Sequence, residues 1–206
     1  MSEKLRSGLL LSIFIVLSFG QLLRISLFDC VAFFPHEILM ILYCIATSPN
    51  IKKLIEKKEY QRSLATIGIL ITVFGLSLGF EFWKYSQVEN FIGFLYFLRL
   101  ILYLVFFISL LSEDKKKIKQ GLTIFTVLTI LFSYSQYILY PNLRNLSYLG
   151  WDPHQYRAFG LFFDTTMAGV IYMTLVFVEL GKSKRNFLIL GALMGLILLS
   201  YSRITY

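Results

Sequence analysis

The sequence predicts an all-α protein, a polytopic transmembrane bundle of about seven spans, and three observations predict it. Apolar residues come in runs of about twenty, the length a helix needs to cross the hydrocarbon core of a bilayer. Hydrophobic residues make up 57% of the chain and charged ones only 16%, whereas a soluble domain is nearer half apolar and a quarter charged. Basic residues sit in short clusters between alternate runs, the pattern that sets membrane orientation.

Taken in order, the runs are Gly8–Phe28, Cys30–Thr47, Ser63–Phe80, Asn90–Leu111, Gly121–Tyr140, Phe159–Leu180 and Phe187–Tyr206. The first follows Lys4 and Arg6 in the charge order of a signal peptide but lacks a small-x-small cleavage site, so it reads as a retained anchor. Pro35, His36 and Glu37 interrupt the second, which is either a kinked span or a re-entrant segment. The other five are cleaner, apart from Arg99 in the fourth, Asp164 and Glu179 in the sixth and Arg203 in the seventh. The longest connection on the predicted outer side, residues 141–158, carries Trp151 and several tyrosines, which suit a membrane interface. It is too short for a domain, so residues 1–206 form a single transmembrane domain with no internal repeat.

A net charge of +8 raises the question of nucleic acid. Placement answers it. Lys4, Arg6, Lys52, Lys53, Lys57, Lys58, Arg62, Lys115, Lys116, Lys117, Lys119, Lys182, Lys184 and Arg185 are 14 of the 20 basic residues, all in one set of connections. The positive-inside rule assigns that set, and the N-terminus, to the cytoplasm. The clusters read as topology signals and lipid-headgroup contacts. Cys30 and Cys44 fall in or beside one span and read as packing thiols, not a disulfide framework.

The other six basic residues are Arg24, Lys84, Arg99, Arg144, Arg157 and Arg203, five of them arginine. A guanidinium grips phosphate oxygens with two parallel N–H donors, where an ammonium acts as a point charge. The outer side therefore reads as built for an anion. Arg157 precedes the sixth span and Arg203 lies near the outer end of the seventh, so antiparallel neighbours would bring them to similar depth. Together they could hold a diphosphate and neutralise charge developing on a leaving phosphate, or each could snorkel to headgroups. Arg99 lies within an apolar run, where a charge costs about 2.5–3.5 kcal/mol on insertion scales. It is either a substrate contact or half of an ion pair with Glu37. Arg24 follows the same logic near a helix end.

Asp152 and His154 share the polar segment before the sixth span, where charge at a bilayer surface is costly without a role. Asp164, followed by Thr165 and Thr166, could orient an arginine or a sugar hydroxyl, or could pair with Arg157 or Arg203. His36 and His154 are far apart with no second ligand at helical spacing, so no metal site is expected. The sequence holds no Walker loop or dinucleotide fingerprint, and Ser200 and Ser202 lack a hydrolase elbow, so no cofactor is expected.

Three stretches resemble the bacterial O-antigen ligases and O-antigen polymerases. Residues 19–42, FGQLLRISLFDCVAFFPHEILMIL, are similar to the family's opening helices and the short loop ending in a His-Asp-like pair, here His36-Glu37. Residues 150–169, GWDPHQYRAFGLFFDTTMAG, resemble its Arg-x-x-Gly turn and the acid that opens a middle helix; the usual Pro and Asn after Asp164 are replaced. LLSYSRITY resembles its Thr/Ser-x-Ser-Arg motif. The motifs are short and degenerate, and together they cover about the N-terminal half of a typical member.

The resemblance implies a GT-C-like fold in the bacterial cytoplasmic membrane. It also implies metal-independent transfer of a glycan from a polyisoprenyl diphosphate carrier, a lipid-linked oligosaccharide donor, to the hydroxyl of a glycan or glycolipid acceptor. Arg157 and Arg203 match the motif arginines that stabilise the leaving diphosphate, and Asp164 the motif acid behind them. Arg99, Arg24, Asp152 and His154 are the candidate substrate contacts. No residue matches the family's catalytic histidine, which would follow Tyr206, so the chain reads as an N-terminal fragment inactive alone. The rival class is a transporter or flippase subunit for a lipid-linked or anionic solute, and a third is a noncatalytic assembly protein.

Overall fold

The structure is a computed structural model that describes residues 3–28, 31–142, 144 and 155–200. Among these it is helical, with seven α-helices: α1 (Glu3–Ser18), α2 (Pro35–Ile55), α3 (Gln61–Glu81), α4 (Gln87–Leu111), α5 (Lys115–Leu139), α6 (Thr165–Leu180) and α7 (Phe187–Ser200). A short antiparallel hairpin, β1 (Ile25–Phe28) and β2 (Val31–Phe33), precedes α2. Three helical segments are long and apolar enough to cross a membrane: Lys58–Glu81, Gln87–Leu111 and Lys115–Leu139, of 24, 25 and 25 residues. At 1.5 Å per residue each exceeds the roughly 30 Å of a hydrocarbon core. Helices α6 and α7, at 16 and 14 described residues, are shorter than that.

The first two expected spans are redrawn. Run Gly8–Phe28 is not one helix: α1 stops at Ser18, and Gly20 has φ +50°, a left-handed conformation that ends a helix and suits glycine. A 3-10 turn over Gly20–Leu23 then leads into β1. Ile25 pairs with Phe33 and Ser26 with Ala32, with a register shift before Phe28 pairs with Val31. Nor does Pro35 kink the second run. It occupies the first turn of α2, where its missing N–H costs nothing, and Glu37 accepts the Phe34 backbone N–H at 3.1 Å. The internal proline is Pro49, which cannot donate to the Ile45 carbonyl; the Ser48 hydroxyl donates to it instead at 2.9 Å.

The chain divides into two compact units, Met1–Ile13 with Arg24–Lys119, and Phe14–Leu23 with Gln120–Tyr206. In the first, α2 packs on α4 around Met40 and Tyr43, and the Tyr43 ring meets Phe106 edge-on at 5.7 Å. Arg6 Nε lies 2.6 Å from the buried Glu113 carboxylate. Helix α3 is almost wholly exposed along its apolar length, with Phe74 and Phe80 outward, as a lipid-facing span would be. The α3–α4 connection is closed by a reciprocal cap. Ser86 Oγ accepts the Glu89 N–H, Glu89 accepts the Ser86 N–H at 2.8 Å, and Asn90 Nδ2 donates to the Phe82 and Tyr85 carbonyls.

In the second unit α6 and α7 form a close antiparallel pair around Tyr172, Leu193 and Leu196, all fully buried. Buried Glu179 accepts the Asn186 N–H at 2.8 Å and pairs with Lys182, fixing the connection between the two helices. Asn186 in turn accepts the Leu188 and Ile189 N–H groups at the start of α7.

Candidate functional site: an arginine turn at the opening of α6

Residues 156–164 make a compact turn that places Arg157 just ahead of α6. The backbone is unusual over nine residues: Tyr156, Gly160 and Phe163 all have positive φ, at 54°, 59° and 57°. Two of these are bulky non-glycine residues, which adopt that region at a cost and only where the surroundings impose it. The surroundings are specific. Tyr156 N–H donates to the Pro141 carbonyl and Ala158 N–H to the Leu199 carbonyl, each at 3.0 Å. Ala158 and Phe159 are fully buried. Asp164 closes the turn as the N-cap of α6, its Oδ1 accepting the Met167 N–H at 2.8 Å.

Gln136, buried on α5, organises the turn from behind. Its Oε1 accepts the Phe159 and Gly160 N–H groups at 3.1 and 3.3 Å, and its Nε2 donates to the Tyr140 and Arg157 carbonyls at 3.2 and 3.3 Å. One turn earlier on the same face, Ser133 Oγ bonds the Tyr172 hydroxyl at 2.7 Å. It stands where a Cβ on Gly160 would be, 2.6 Å away. Gly160 is therefore required twice, by its φ and by the space. Gly20 docks on the same turn: its own Cβ would fall 2.7 Å from the Leu161 carbonyl, which accepts the Gln21 N–H at 2.8 Å.

Arg157 itself is half-buried, and among the described residues no carboxylate pairs with it. Its backbone is fixed on both sides. Asp164, its expected neighbour in charge, is exposed and engaged as a helix cap.

The structure answers the question left open for Arg99. Its Nε lies 2.5 Å from Glu37 Oε1, Nη2 donates to Glu37 Oε2 at 3.4 Å, and Nη2 also donates to the Ala32 carbonyl. The guanidinium lies over the Phe34 and Tyr96 rings, 5.5 and 5.3 Å from their centroids. Glu37 is almost wholly buried and needs this partner. Arg99 ties β2 and the start of α2 to α4. His36 beside it bonds the Tyr103 hydroxyl at 2.7 Å. Arg24 is exposed between the 3-10 turn and β1. Asp152, His154, Arg203 and Cys30 lie outside the described residues, while Cys44 is a buried free thiol beside Ser109.

Gln136, Ser133 and Gly20 escaped the sequence reading. A signal for two of them existed: Ser133 and Gln136 are polar residues spaced three apart inside an apolar run, hence on one helix face.

No protein-family model, curated protein or solved structure matches this chain.

Proposed function

We propose that the chain is the part of an O-antigen ligase- or polymerase-type membrane glycosyltransferase that holds the diphosphate of a polyisoprenyl-linked glycan donor. One observation carries the reading: a buried amide, a sterically obligatory glycine and a helix cap all converge on the turn that bears an arginine with no carboxylate partner among the described residues. The apolar helices support a membrane setting, and the basic clusters, by the positive-inside rule, support an extracytoplasmic α5–α6 connection.

In the proposed reaction the acceptor hydroxyl oxygen bonds to the anomeric carbon of the donor as the bond from that carbon to the diphosphate oxygen breaks, and the hydroxyl proton passes to water or a general base. The leaving polyisoprenyl diphosphate keeps the electron pair. Arg157, its backbone already fixed, meets the added negative charge without reorganising, which is where a positioned donor contributes most. Arg203 is the proposed second guanidinium.

The test is replacement of Arg157 in the protein as its host makes it, followed by gel analysis of glycan joined to acceptor. Arg157→Ala should lower transfer by about a hundredfold or more, and Arg157→Lys by nearly as much, with membrane insertion unchanged. Transfer at the normal rate by an inserted Arg157→Ala protein would overturn the proposal. Carriage of donor across vesicles without glycan transfer would place the protein in the transport class instead.

A further inference from the structure

We infer that Gln136 is a positioning residue for Arg157 and that a carboxamide is the chemistry required there. The inference rests on the diphosphate reading of Arg157 and specifies how that arginine is kept in place. The turn presents two N–H groups, of Phe159 and Gly160, toward one end of the Gln136 side chain. It presents a carbonyl, that of Arg157, toward the other end, together with the Tyr140 carbonyl just past the end of α5. Flipping the amide would set oxygen against carbonyl oxygen and NH2 against N–H, so its orientation is decided by its partners. Two acceptor contacts at one end and two donor contacts at the other are what a primary amide offers. A carboxylate would face two carbonyls with no proton, and an apolar chain would leave two buried N–H groups and two part-buried carbonyls without this partner.

The position of these bonds matters as much as their number. They bracket Arg157: its own carbonyl is held, as are the N–H groups two and three residues on. Gly160, whose N–H is one of them, sits against Ser133 with no room for a side chain. The arginine therefore leaves a backbone with little rotational freedom, and ordering it on binding costs correspondingly little.

The full chain in phosphatidylcholine nanodiscs, titrated with farnesyl diphosphate by calorimetry, tests this. Arg157→Ala should abolish detectable binding. Gln136→Met, similar in length but without hydrogen-bonding groups, should weaken binding about tenfold with helix content unchanged. Gln136→Glu should bind weakly at about pH 7.5 and recover relative to the native protein toward about pH 5.5, because only the protonated acid donates. Helix content that stays constant across that pH range separates this positioning role from a merely structural one, and this variant also serves if Gln136→Met fails to insert.

Native affinity in Gln136→Met, with binding lost in Arg157→Ala, overturns the role of Gln136 and leaves the diphosphate reading standing. A Gln136→Glu affinity that tracks the native protein across the pH range overturns it too. Native binding by Arg157→Ala sinks the diphosphate reading itself, and the positioning role with it.

Discussion

Arg99 and Arg157 are both arginines in apolar surroundings, and the structure treats them oppositely. Around Arg99 the side chain is engaged: a buried carboxylate, a backbone carbonyl and two aromatic rings take up its charge and its donors. Around Arg157 the backbone is engaged, and among the described residues no carboxylate pairs with the side chain. The first arrangement stabilises the fold of its unit. The second fixes the main chain from which a guanidinium emerges, as the proposed diphosphate contact requires. An arginine in an apolar segment is thus not in itself a functional mark; what distinguishes the two is whether local structure holds the head group or the main chain.

That contrast can be broken experimentally, beginning with Glu37. Glu37→Leu strands the Arg99 charge in a buried setting and should cost about 3–5 kcal/mol of stability in denaturant unfolding in micelles. Arg157→Ala should stay within about 0.5 kcal/mol in the same assay while losing its ligand. Equal losses from the two would erase the distinction. Gly160→Ala comes next, since it meets both a left-handed φ and the Ser133 hydroxyl. About 1–3 kcal/mol should be lost, with faster hydrogen exchange at Phe159 and Phe162 than at sites in the Arg99 unit.

Ser86→Ala, which removes half of the reciprocal cap at the start of α4, the helix that carries Arg99, should cost about 1 kcal/mol. The smallest expected effect is electrostatic. A hydrogen bond from Lys117, reinforced by its charge, holds the exposed Glu3 carboxyl below its ordinary range. A depressed acid contributes stability above its unfolded pKa and loses it as pH falls through the folded one. Acidification from about pH 6 to about pH 3 should therefore cost the native protein slightly more than Glu3→Gln. Parallel pH curves would show that this exposed pair adds nothing.

How much could be read from residues alone depended on range. Spans three to five were legible because their apolar runs are long and their ends carry turn residues; Ser86 and Glu89, three apart before an apolar run, even announce the cap. The first two were misjudged for a physical reason. Hydropathy cannot see backbone conformation, so it passed through Gly20, and Pro35 reads equally as a helix breaker or a helix opener. Arg157, Gly160 and Asp164 stood out by residue type. Gln136 did not, because a glutamine in an apolar helix says that some polar partner exists without saying which.

By itself, the sequence determined the helical class and a set of apolar runs that includes the three segments long enough to cross a membrane. These follow from composition and period, properties local to each segment. Only the tertiary structure decided that Glu37 neutralises Arg99, that Gln136 and Ser133 shape the turn at Gly160, and that Asp164 caps α6. Each of those depends on which buried donor meets which acceptor across tens of residues of chain, and hydrogen-bond geometry at that range is fixed by packing.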